Sequence, residues 1–168
     1  DQGSDDEFAY RIASAGDIDG DGYSDIIIGA RHHDGADTNA GAAYVYYGSS
    51  GGLLTVTEQK LTASDAARYE QYGYAVGGSG DINGDGYDDV LVGANLADGT
   101  DSNTGAVYVY YGSTSGLVES SEQKIVPPGV GSGDFSGGAV ATAGDVNGDG
   151  YDDIIIGATG DDTVSRSS

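Results

Sequence analysis

The feature that most constrains this chain is a fourteen-residue string that occurs three times at one spacing. It reads DIDGDGYSDIIIGA from Asp17 to Ala30, DINGDGYDDVLVGA from Asp81 to Ala94 and DVNGDGYDDIIIGA from Asp145 to Ala158, each copy starting 64 residues after the one before. A constant period of this length means that one supersecondary unit is repeated and that neighbouring units bury one another. The chain then divides into residues 1–63, 64–127 and 128–168, two full units and the first half of a third.

Between the copies run short β-branched and Tyr-rich segments bounded by glycine, and no window carries a helical stripe. This predicts an all-β chain with many tight turns. The first unit offers strands at Tyr10–Ala15, Asp25–Ala30, Ala42–Tyr47 and Thr57–Thr62. The second repeats them at Tyr74–Ser79, Asp89–Ala94, Ala106–Tyr111 and Ser121–Val126, and the third stops after its second strand, at TVSRSS. In AAYVYY, Ala42, Tyr44 and Tyr46 share one face and Ala43, Val45 and Tyr47 the other, so this strand is expected to be covered on both sides. The last strand, TEQKLT, is polar and alternating, as an outer edge should be. Four-stranded units of even length with a polar last strand are the pattern of β-propeller blades.

The acidic part of each string has the donor spacing of a hard-cation loop. Ca²⁺ takes six to eight oxygens at about 2.3–2.6 Å. The first loop offers Asp17, Asp19, Asp21 and Asp25 with the Tyr23 carbonyl, and turns on Gly22. The second offers Asp81, Asn83, Asp85 and Asp89 with the Tyr87 carbonyl, and the third Asp145, Asn147, Asp149 and Asp153 with the Tyr151 carbonyl. Mg²⁺ prefers a small octahedron and keeps its waters, and zinc lacks His or Cys ligands here. The EF-hand opening D-x-[DN]-x-[DN]-G is matched, but its Glu at the twelfth position is replaced by Ile28, Val92 or Ile156, inside a strand. A plain Asx turn explains one such loop adequately. Three copies at constant period favour three Ca²⁺ sites per chain, because like charges so closely spaced repel without a cation.

Composition narrows the partners. With 28 acidic residues against six Lys and Arg, the net charge of −22 argues against nucleic acid and anionic membrane as partners. Cysteine is absent, so no disulfide or thiolate site holds the fold. There is no signal peptide, no apolar run near 18 residues and therefore no membrane insertion, and no N-x-[ST] sequon. An Asp/Gly/Ser/Thr-rich chain without cysteine fits a secreted protein, and the lack of Met at position 1 fits a processed chain or a piece of a longer one.

The string F-x-x-x-[IV]-A-x-A-G-D-[IV]-[DN]-G-D-G-Y-x-D-[IVL]-[IVL]-[IV]-G-A resembles the FG-GAP repeat of integrin α-subunit propellers and their bacterial relatives. The resemblance implies one four-stranded antiparallel blade per repeat, Ca²⁺ in the loop between the first two strands, and about two and a half blades here, as part of a propeller or an open, assembled array. It also implies an extracellular or cell-surface module for adhesion, presenting loops to a protein or glycan ligand. Alternatives are a structural repeat that joins further copies of itself into a fibre or ring, and a non-catalytic accessory domain of a larger secreted enzyme. The chain departs from the family string at "FG", which is Phe8-Ala9, Tyr72-Gly73 and, in the third copy, Phe135 one residue early with Ser136 in the aligned place; the "GAP" proline is Arg31, Asn95 or Thr159.

Enzymatic readings are weaker. Gly48-Ser49-Ser50-Gly51-Gly52 matches the nucleophile-elbow string, yet no helix follows and the next repeat has Thr114 in the nucleophile's place. His32 and His33 are the sole histidines, replaced in the second repeat by Leu96 and Ala97, and are expected in a solvated loop. The clustered carboxylates that could suggest glycoside hydrolysis are committed as ion ligands. No catalytic set is expected. The tyrosines of the third strands are read as packing between blades rather than as a sugar-stacking face.

Overall fold

The computed structural model describes residues 6–34, 37–54, 57–98 and 102–160. Among these residues three antiparallel sheets follow one another along the chain. The first is β1 (Arg11–Gly16), β2 (Asp25–Ala30), β3 (Ala42–Tyr46) and β4 (Glu58–Leu61), in that order across the sheet. The second is β5 (Tyr72–Gly80), β6 (Asp89–Ala94), β7 (Ala106–Tyr110) and β8 (Gln123–Ile125), and the third holds β9 (Ser136–Gly144) and β10 (Asp153–Ala158). Two complete up-and-down blades and half of another of the β-propeller kind result, as the repeat requires. β5 packs against both β1 and β9, so the innermost strands of the three sheets stand side by side.

The alternation of apolar residues decides which face meets which blade. Ile27, Ala43 and Val45 of the first sheet join Val90, Val92, Tyr108 and Tyr110 of the second in one buried cluster. The opposite face of the second sheet, Leu91, Val107 and Val109, packs on Val140, Ile154 and Ile156 of the third. The β7 tyrosines are thus interior: Tyr108 stacks edge-on against Tyr72 at 5.3 Å, and the Tyr72 hydroxyl donates to Tyr110 at 2.8 Å. Tyr110 in turn donates to Glu122, which also accepts from Ser64 of the β4–β5 connection. The reading as blade packing holds for Tyr108 and Tyr110, whereas Tyr44 and Tyr46 of β3 pack with Phe8 on the opposite face of the first sheet.

The strand ends differ from expectation. The second repeat's first strand runs from Tyr72 to Gly80, longer than Tyr74–Ser79, because sheets on both sides support it. Its outer strand shortens to Gln123–Ile125 behind a 3-10 turn at Glu119–Ser121, and Thr57–Thr62 shortens to Glu58–Leu61. The TVSRSS end lies outside the described residues. His33 requires a correction. It is buried, with Nδ1 3.0 Å from Asp6 Oδ2 and Nε2 2.5 Å from Lys60 Nζ. Partners remote in sequence, not solvent, satisfy both nitrogens. Gly48–Gly52 is a turn closed on itself: Ser49 Oγ donates to the Gly52 carbonyl at 2.6 Å and the Gly52 amide donates to the Ser49 carbonyl at 2.9 Å.

Candidate metal centres at the β1–β2, β5–β6 and β9–β10 turns

Each acidic loop joins the first strand of a sheet to the second, and a register shift marks the end of the first strand at Ser14/Gly16, Gly78/Gly80 and beside Gly144. The extra residue bends the strand outward into the loop. The three loops then take one backbone course. Gly20, Gly84 and Gly148 have φ of 73°, 78° and 78°, and Gly22, Gly86 and Gly150 have 89°, 92° and 94°. This is the left-handed region, where glycine is the residue without steric cost.

The first residue of each loop organises it. Asp17 accepts the Asp21 amide on Oδ1 at 3.0 Å and the Gly22 amide on Oδ2 at 2.9 Å. Asp81 receives Asp85 and Gly86 in the same way, and Asp145 receives Asp149 and Gly150. The third and fifth residues follow suit: Asp19, Asn83 and Asn147 accept the amides of Asp21, Asp85 and Asp149, which themselves accept those of Tyr23, Tyr87 and Tyr151. The side-chain oxygens at positions one, three and five are thereby turned inward. In the first loop, Asp17, Asp19 and Asp21 each place a carboxylate oxygen within 4.8 Å of the others. Partial burial, and then the charges of Asp21 and Asp17, hold the Asp19 carboxyl above its ordinary value. Main-chain amides hold exposed Asp145 below its own.

The ninth residue stands outside that trio. Asp25 is fully buried and takes the Ile18 amide on Oδ2 at 2.8 Å and the Gly48 amide on Oδ1 at 2.7 Å. Asp89 does the same with Ile82 and Gly112, and Asp153 accepts Val146. These carboxylates fasten loop to sheet. Each carboxylate oxygen still has a second lone pair for an ion. Burial raises both Asp25 and Asp89, the latter to about 6. The donor set as a whole is hard oxygen, crowded and mutually repelling, which fits calcium.

Two residues that the sequence reading passed over complete the geometry. Asp88 and Asp152, at the eighth position, leave their own loops and bond the first residue of the preceding one. The available signal was a second, adjacent carboxylate in YDD, set against Ser24 in the first copy.

A family model described as FG-GAP repeat matches residues 8–46 and 136–167, and a second with the same description matches 55–110. The chain is similar to integrin alpha-5 of Xenopus laevis, 33% identical over 165 residues, covering 94% of this chain and 15% of that protein. Integrin alpha-PS3 of Drosophila melanogaster is 34% identical over 163 residues, covering 94% of this chain and 14% of its own length. Human integrin alpha-6 is 33% identical over 162 residues, with 95% and 13% covered. The chain therefore spans only about a seventh of the length of these curated relatives. Among the described residues no helix is long and apolar enough to cross a membrane.

Proposed function

Since this chain belongs to the FG-GAP repeat family, we propose that it is a calcium-stiffened segment of a β-propeller that presents its loops to a protein or glycan partner in adhesion, outside the cell or at its surface. The observation that carries the reading is the shared course of the three acidic loops, with Asp17, Asp19 and Asp21 converging in the first. Asp17, Asp19, Asp21, the Tyr23 carbonyl and Asp25 would hold one ion. Asp81, Asn83, Asp85, Tyr87 and Asp89 would hold a second, and Asp145, Asn147, Asp149, Tyr151 and Asp153 a third. A bound cation would offset the repulsion within each loop and fix the turn between first and second strand, leaving the blades rigid enough to display their connections. The role is binding and not catalysis.

A second reading, contact with further copies of the chain, is favoured by the outer faces. An apolar groove of about 280 Å³ lies on the first sheet between Phe8, Ile26, Ile28, Tyr46 and Leu53. On the third sheet Ile155 is 58% exposed. Apolar surface of this kind marks contact sites.

Native mass spectrometry in calcium and after chelation tests both readings. One chain with three Ca²⁺ supports the propeller segment, and a defined multimer with three Ca²⁺ per chain supports self-assembly. No bound calcium in any state removes the central claim.

A further inference from the structure

We propose that Asp88 and Asp152 are positioning residues that couple the first and second calcium loops to the blade that follows each; the inference rests on the calcium reading above. Asp88 sits between two residues that its own loop fixes. The Tyr87 amide is held by Asp85, and the Asp89 carboxylate by the amides of Ile82 and Gly112. From there Asp88 turns toward the preceding blade. Its Oδ2 accepts the Asp17 amide at 2.7 Å, and its own amide donates to the Asp17 carbonyl at 3.2 Å. Both main-chain polar groups of the first ligand of loop one are thus bonded to one residue of loop two.

The arrangement recurs 64 residues later. Asp152 Oδ2 accepts the Asp81 amide at 3.2 Å, and the Asp152 amide donates to the Asp81 carbonyl at 3.1 Å. Space is made for it at both junctions. A Cβ on Gly16 would overlap the Asp88 carboxylate, and one on Gly80 would overlap that of Asp152. Two further contacts seat loop one on the second blade: the Ser113 amide donates to the Ile18 carbonyl at 3.1 Å, and a Cβ on Gly20 would lie 2.7 Å from the Tyr87 ring.

The alternative is that Asp88 and Asp152 only add charge or only glue blades together. Against that stands the residue they grip. Asp17 and Asp81 are the residues whose carboxylates gather the amides at positions five and six and complete the ligand set. Fixing their main chain on both sides sets where those carboxylates point, as outer-shell partners do for metal ligands generally. Coupling of this kind is reciprocal, so any effect of filling one loop on its neighbour is matched by an equal effect of the neighbour on it.

Calcium titration of the full chain followed by amide NMR tests this, with Gly22, Gly86 and Gly150 reporting the three loops separately. Asp88→Ala should weaken the midpoint at Gly22 on the order of tenfold and leave that at Gly150 within about twofold. Asp88→Asn, which keeps the acceptor oxygen, should restore most of the loss. An unchanged Gly22 midpoint in Asp88→Ala, or an Asn variant as weak as the Ala variant, overturns the proposal; the second outcome would assign the effect to charge alone. Should Asp88→Ala fail to fold, the Asp152→Ala and Asp152→Asn pair read at Gly86 poses the same question. A wild-type chain showing no calcium-dependent shift at any of the three glycines would instead remove the calcium reading itself.

Discussion

The Gly112 amide donates to Asp89 Oδ1 at 2.9 Å, tying the end of β7 to the first residue of β6 across twenty-three positions of sequence. With the Ile82 amide on its other oxygen, Asp89 has no exposed surface. Burial pushes its carboxyl up to about 6; the charges of Asp85 and Asp81 act in the same direction, and the two amides oppose them. An acid raised above its unfolded value of 3.8 stabilises the fold while protonated. That contribution is whole below about pH 4 and is lost as the pH climbs through about 6. Carboxyl ¹³C titration should place the Asp89 midpoint near 6 in chelator and below about 4 in calcium, where the cation favours the charged form. A midpoint near 4 without calcium would show that the amides outweigh burial.

Ala9 has φ of 65°, while its aligned residues Gly73 and Gly137 have 86° and 79°. The family glycine is missing, but the left-handed conformation that it serves is kept. Ala9→Gly should therefore raise stability by about 0.5–1 kcal/mol, the relief of strain exceeding the entropy that glycine adds to the unfolded chain. The reverse swap at the aligned site should act the other way. At Gly73 a Cβ would overlap the Ala42 carbonyl of the preceding blade, so Gly73→Ala should cost about 2–4 kcal/mol. Urea denaturation in calcium measures both, and equal effects of one sign would contradict the argument.

Ser79 lies in the bulge at the end of β5, fully buried, and its hydroxyl has no hydrogen-bond partner among the described residues. Ala15 and Ala143 occupy the same place in the other repeats. Ser79→Ala should stabilise the chain by about 1 kcal/mol, since a buried hydroxyl without a partner carries its full desolvation cost. Loss of stability in this variant would show that the hydroxyl is satisfied in solution.

What the sequence made readable depended on the range of the interaction. The second and third strands of the two four-stranded blades were legible because their runs are β-branched or aromatic on both faces, whereas the register Ile27↔Val45 and Leu91↔Val109 appears only in the paired sheet. The acidic loops were legible because their donors lie within nine residues. Contacts between blades were not. The doubled acid of YDD marks Asp88 but does not say what it bonds, and its role exists only once β5 stands beside β1. His33 was misplaced for the same reason, since Asp6 and Lys60, each twenty-seven residues away, make its burial tolerable.

If the calcium proposal holds, Asp21 is the residue whose loss separates the ion from the fold most cleanly. Its carboxylate joins Asp17 and Asp19 in the trio, yet among the described residues it accepts only the Tyr23 amide at 2.9 Å, in an exposed position. Asp21→Ala should thus remove one calcium of three while costing little in chelator. In calcium a hundredfold above the site's dissociation constant, the stability deficit should reach about 2.7 kcal/mol, the linkage energy of one lost ion. Native mass spectrometry counts the ions, and paired denaturation curves with and without calcium isolate the linked part. Three ions retained, or a deficit of equal size in both conditions, would mean that Asp21 shapes a turn and binds nothing.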